Sequence, residues 1–292
     1  RQLAQLEATA FFGSGLPSMR AGLGPSFMTA TLGCPLNFLP ETTWTEPAIA
    51  DWNDFEGFPD YRQNRWYQLS LEMMERVSAA ASGRCVVMLP DLHPGGDGVA
   101  SLRGNENFMM DLYDCPDQVR MALEHLDGMF IEMLETYYRI CRAHGQSGSA
   151  GFTGWGPNKT FPVQDDTLAL VSPAAAREFL LPGILRQARS IDNATFHLDG
   201  PEALDKLEML LEASELRDIQ WVPGAAHQEM TQWIPVMKRI LAAGKLLTTG
   251  CKPEELEPIL SEVPARGLRL YIMAEDEDQA RELLQMGARL SR

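Results

Sequence analysis

The sequence predicts an α/β protein built as a single (β/α)8 TIM barrel spanning residues 1–292, and three observations carry that expectation. Short β-prone runs, polar turns and amphipathic helices alternate at least five times, the rhythm of parallel strands with crossover helices. The regular unit and the length of 292 residues favour a closed barrel over an open doubly wound sheet. No Gly-rich dinucleotide fingerprint or phosphate loop follows any strand, and no linker or shift in composition divides the chain.

A short helix is expected around Leu3 to Phe11, then Gly- and Pro-rich turns, a strand at Phe27 to Leu32, and a polar loop from Glu41 to Pro47. Trp66, Leu69, Met73, Met74 and Val77 recur at three-to-four spacing, which predicts a helix from Asn64 to Ala81. Cys85 to Leu89 reads as a buried strand, ending in an ionisable turn from Pro90 to Gly98. Pro116 opens the longest helix, whose apolar face runs from Val119 to Ile140 and which stops at Gly145.

Gly151 to Trp155 is a weaker strand, followed by a loop to Thr167, and Ser172-Pro173 caps and opens another helix. Thr195 to Asp199 is a strand that breaks at Gly200, and Pro201 starts the next helix, to about Ala213. Further strands are expected at Ile219–Val222, Lys245–Thr249 and Leu268–Met273. Helices are expected over Gln228–Ala243, from Pro253 and over Asp276–Met286.

The formal net charge of −15 argues against nucleic acid or an anionic membrane as partner, since both require a basic footprint. The five cysteines are scattered and form no CxxC, which suits reduced thiols in a cytoplasm. No apolar run approaches the roughly 20 residues that cross a bilayer. The chain begins at Arg1 and not Met, so its extreme N-terminus is expected to be processed or missing.

Residues two apart on a strand face the same way, so His197 and Asp199 point together to one side at a strand end. In a barrel the active site gathers at the C-terminal ends of the strands. Those ends supply Asp91 and His93, Trp155, His197 and Asp199, Gln220 and Trp221, Cys251, and Glu275. Imidazole, carboxylate and thiolate donors together suit zinc, with His197, Asp199, Cys251 and Glu275 as candidate ligands. Cys251 stands at a helix start, where a partial positive charge favours its thiolate. His197, Asp199, Asp91 and His93 are the candidates for proton transfer, and Trp155, Gln220 and Trp221 for walling a bound cofactor or other flat ligand. Plainer roles are open for each: Asp199 is also placed to cap the helix at Pro201, and Cys251 to pack.

Several stretches resemble the uroporphyrinogen decarboxylase superfamily. They are Pro90-Asp91-Leu92-His93, Leu102-Arg103-Gly104, Asp111 to Pro116, Phe196-His197-Leu198-Asp199-Gly200, Ile219 to Gly224 and Ala243-Gly244-Lys245. The resemblance runs from about residue 25 to the end and implies a (β/α)8 barrel. One branch of that superfamily decarboxylates uroporphyrinogen without a cofactor, using an N-terminal Arg-rich motif that this chain does not display. The other branch contains zinc methyltransferases that move a methyl group between a corrinoid protein and a thiol or methylated small molecule. Its zinc ligands resemble His-x-Cys plus a distant Cys; here the pair is His197-Leu198-Asp199, and Glu275 stands nearer the distant position than Cys251. The resemblance implies zinc, a corrinoid carried by a partner protein, a small-molecule substrate and a cytoplasmic enzyme, with a homodimer as one expected assembly. Decarboxylation of uroporphyrinogen or another aromatic acid is the alternative, and a non-catalytic barrel subunit the second.

Overall fold

A computed structural model describes residues 2–40, 42–224, 226–227 and 229–291. Its strands are β1 (Ser18–Arg20), β2 (Leu36–Phe38), β3 (Thr43–Thr45), β4 (Val86–Met88), β5 (Gly148–Gly151), β6 (Gly154–Pro157), β7 (Thr160–Gln164), β8 (Asn193–Asp199), β9 (Asp218–Val222), β10 (Leu246–Gly250) and β11 (Leu268–Tyr271). β7 to β11 form a parallel sheet in chain order, and β1, β4 and β5 form a second parallel set with β6 antiparallel on its edge. The sets meet between β5 and β7 through a parallel bridge from Gly148 to Asn158 and through the Ser149 hydroxyl. That hydroxyl accepts from the Thr160 amide and donates to its carbonyl, each at 2.8 Å.

Pro162 explains why that junction is not a full ladder. It has no N–H to give, and its ring fills the space against Gly151, where a Cβ would lie 2.2 Å from Pro162 Cδ. Within each set, β1-β4-β5 and β7-β8-β9-β10-β11, neighbouring strands are parallel and follow chain order, as the repeat predicts. Closure is where the expectation of a closed barrel needs correction: among the described residues no ladder joins β1 to β11. β1 has only three residues to pair, and a cavity of about 1040 Å3 lies along this seam, lined among others by Phe12, Leu16, Met88, Leu268 and Leu284.

Helices cover the outside for local reasons that the sequence carries. The Asn64 side chain accepts from the Trp66 amide at 2.9 Å and starts the helix Arg65–Ala81. Pro116 opens Pro116–Ala143, where its missing N–H costs nothing, and Gly145 at φ +85° ends the turn that follows. Ser172 caps Pro173–Ala175, but Pro182 then removes a donor from the helix and a π turn over Ala176–Leu180 absorbs it before Leu181–Arg189. Among the described residues no helix is long and apolar enough to cross a membrane.

Four expected elements differ. Phe27–Ala30 is a helical turn, not a strand, and is buried on every side, so its apolar run carries no period. The expected loop after residue 41 contains β3, paired antiparallel with β2; Glu41 itself lies outside the described residues. Gly151 to Trp155 is a hairpin turn between β5 and β6, and the loop after it contains β7. The helix expected from Gln228, a residue outside those described, runs as Ile234–Ala242 after a 3-10 turn at Met230–Trp233.

Candidate active site

Register places the site. Gln164, His197 and Gln220 are Cα partners on β7, β8 and β9, so all three side chains project to the same side of the sheet. His197 Nδ1 pairs with Gln220 Oε1 at 2.7 Å. A glutamine oxygen only accepts, so Nδ1 carries a proton, and in the neutral ring Nε2 is the nitrogen left with a lone pair. The Phe152 ring meets His197 edge-on, with centroids 5.1 Å apart at 86°. The turn carrying Phe152 is held from below, because Arg269 donates to the Thr153 carbonyl at 2.8 Å.

That arginine belongs to a polar floor one layer deeper. Asp218 accepts from Thr195 Oγ1 at 2.9 Å, from Thr248 Oγ1 at 3.0 Å and from Arg269 at 3.2 Å. Thr195 lies two residues before His197, and Asp218 two before Gln220, so the floor fixes the strands that carry the site.

Two further carboxylates join the His197–Asp199 pair from elements remote in sequence. Asp166 begins a 3-10 turn directly after β7, and donor atoms of Asp166, His197 and Asp199 all lie within 4.8 Å of one another. Donor atoms of His93, Asp97 and Asp166 meet the same limit. Asp97 stands in the first turn of the helix Gly95–Arg103, which follows the loop bearing Asp91 and His93.

Fully buried Asp165 ties these elements together. It accepts from the Gly96 amide at 2.8 Å and from the Thr167 hydroxyl, while the Thr167 amide donates to Asp97 Oδ1 at 3.0 Å. Gly96 has to be glycine for this approach, since a Cβ there would lie 2.0 Å from Thr167 Oγ1.

The electrostatics follow from crowding carboxyl groups beside imidazoles. Burial alone would depress His93, but Asp91 and Asp97 flank it and push its pKa up to about 10. Burial works upward on Asp91, yet the His93 and His197 rings and the Gln164 amide hold its carboxyl below the usual range. Asp166 stands at the solvent edge, but the atoms crowding its carboxyl and the like charge of Asp97 push it up to about 6, against the pull of His197 and His93. Two carboxylate oxygens, Asp199 Oδ1 and Asp97 Oδ2, are buried with no hydrogen-bond partner. Such groups are costly to leave unmet.

Of the residues named from sequence, Asp91, His93, His197 and Asp199 come together at this mouth, and Gln220 orients His197. Trp221, its neighbour on β9, faces the other way; it is fully buried, edge-on to Trp233 at 5.2 Å, and stands in the wall of a cavity that Asp199 also lines. Trp155 lies on β6 beside the seam cavity.

Cys251 and Glu275 belong to neither donor group. Cys251 shares with Asp199, Thr249 and Tyr271 the wall of a cavity of about 560 Å3. Its thiol is pushed up to about 12 by burial and by Glu255 and Glu254, so the thiolate expected at a helix start is not favoured. Glu275 is exposed, before the helix Glu277–Leu290.

Sequence reasoning missed Asp166, Asp97 in its ligating position, and Asp165. The available signal was the alternation of Phe161 and Val163 running into two consecutive aspartates, a strand ending in acids.

No family model matches the chain, and no curated protein matches it. Among solved structures, the chain is similar to a methyltransferase from Methanosarcina mazei, with a TM-score of 0.64 at 13% identity over 94% of this chain and 81% of that one. At that identity the likeness is one of fold.

Proposed function

We propose that the protein is a metal-dependent methyltransferase, moving a methyl group between a corrinoid carried by a partner protein and a thiol or small methylated substrate. The observation that carries this reading is the convergence of His197, Asp199 and Asp166, with Asp199 Oδ1 buried and unpartnered, beside the 560 Å3 cavity. The fold shared with the Methanosarcina mazei methyltransferase agrees with it.

The donor set fits zinc: one imidazole nitrogen and two carboxylates are ligands it accepts, and three protein ligands leave a position open. When bound, the ion would supply Lewis acidity, lowering the pKa of a thiol or polarising the methyl donor. The protein's part is positional. Gln220 fixes the His197 tautomer, Phe152 blocks rotation of the ring, and the Asp218 floor holds the strands. The cavity beside Asp199 gives the substrate a place on the Thr249 and Tyr271 side.

A polycarboxylate substrate, as decarboxylation of uroporphyrinogen requires, fits less well. The mouth carries Asp91, Asp97, Asp166 and Asp199 against two imidazoles, too few cationic partners for it. Two unmet buried carboxylate oxygens likewise speak against a subunit that binds nothing there. The test is metal content and methyl transfer from methylcobalamin to a thiol panel. Stoichiometric zinc and transfer, both lost in His197→Ala, are expected; purified protein that takes up no metal overturns the reading.

A further inference from the structure

The two donor groups at the mouth share Asp166, and that sharing carries a second site. We propose that the mouth is a two-cation centre, with a second divalent cation on His93 Nδ1, Asp97 Oδ2 and Asp166, the last bridging to the ion position of His197 and Asp199. The inference rests on the reading above for its first ion, and its own evidence is separate.

The two histidines are built alike. His197 has its Nδ1 occupied by Gln220, and His93 has its Nε2 occupied by Asp91 Oδ2 at 3.3 Å. An outer acceptor that holds one ring nitrogen and presents the other to the ion is how ligating histidines are held, and a bound cation would take the place of the proton on His93 Nδ1. Each ring has a donor atom within 4.8 Å of two carboxylate oxygens: those of Asp166 and Asp199 for His197, and of Asp97 and Asp166 for His93.

Asp97 is prepared in the same way. One oxygen is committed to the Thr167 amide at 3.0 Å, while Oδ2 has no hydrogen-bond partner, on a side chain only 10% exposed. His93 Nδ1 lies 3.5 Å from that oxygen. This is close to the ~3.4 Å that separates two ligands each ~2.1 Å from one tetrahedral ion. A carboxylate shared between neighbouring ions is the usual way a protein holds two divalent cations together.

The experiment uses the full chain, stripped with a chelator and titrated with Zn2+, with bound metal counted after gel filtration. Two ions per chain are expected, falling to one in Asp97→Ala and in His93→Gln, and to one in His197→Ala. One ion per chain that Asp97→Ala leaves unchanged overturns the second site and leaves the His197 site standing. No ion overturns both. A measurement on the unsubstituted protein guards against variants that fail to fold. Loaded with two equivalents of Mn2+, the chain should give the spin-coupled resonance spectrum of a bridged pair, and isolated-ion signals alone would count against the proposal.

Discussion

His197 and Gln220 are register partners on adjacent parallel strands, and the imidazole Nδ1 donates to Gln220 Oε1 across 2.7 Å. Gln220 thereby chooses which nitrogen is free to act. Gln220→Leu should leave the fold intact, since the side chain is replaced by an apolar one of similar reach, while metal affinity drops about 10–100-fold. Gln220→Glu keeps an acceptor at the same place and should retain most of the affinity. Calorimetric titration with Zn2+ measures both, and equal losses in the two variants would mean that Gln220 acts through packing and not through the hydrogen bond.

Cys251 offers the reverse expectation. Its thiol is held up to about 12 by burial and two glutamates, and it belongs to neither donor group. Cys251→Ser should therefore bind the same number of zinc ions with affinity within about threefold of the parent, while alkylation of Cys251 at pH 8 should be slow beside that of a free thiol. A lost ion in Cys251→Ser would restore the cysteine to the ligand set.

How much of this was legible before the structure depends on sequence distance. The His197–Asp199 pair follows from the two-residue period of a strand, a local rule, and donor atoms of the two side chains do come within 4.8 Å of each other. The parallel strand order follows from the alternation of elements. Asp166 was hidden because β7 carries Pro162, which lowers any strand assignment, and because a chain read locally gives no hint that residues 97, 166 and 197 meet. The same period that turns Gln220 to the His197 side turns its neighbour Trp221 to the opposite face of β9, packed on Trp233. Closure at the seam depends on whether three residues of β1 reach β11, a long-range matter that composition does not carry.

Stability away from the site rests in part on Arg103 and Asp111, whose side chains are 7% and 8% exposed. Arg103 Nε and Nη2 donate to Asp111 at 2.6 and 3.1 Å, its Nη1 reaches the carbonyls of Ile49 and Ala50, and Trp52 Nε1 also donates to Asp111 at 2.7 Å. Asp111→Ala strands a buried guanidinium and an indole N–H, and should cost about 3–5 kcal/mol in urea unfolding. The double variant Arg103→Met/Asp111→Leu removes both charges and should recover a large part of that loss. If the double variant is no better than the single one, the pair's value lies in the carbonyl contacts of Arg103.

Asp127 gives a pH dependence that can be read without touching the mouth. Its side chain is 2% exposed on the helix Pro116–Ala143, and burial pushes the carboxyl up to about 6, against the pull of Gln187 Nε2 at 2.8 Å and of Arg186 at 3.3 Å. An unfolded aspartate titrates near ~3.9. The folded state therefore holds the proton more tightly than the unfolded one. Its contribution is intact below about pH 4, is lost as pH rises through the folded value, and is absent above it, a penalty of about 2–3 kcal/mol at pH 8. Asp127→Asn has no proton to lose, and its amide can serve Gln187 Oε1, which is buried without a partner. The variant should match the parent at pH 4, gain on it as pH rises from 4 to 6, and level off above about pH 7. Urea denaturation at five or six pH values checks this, and a difference that is flat, or that grows towards acid, would show that Arg186 and Gln187 hold the ionised carboxylate better than burial opposes it.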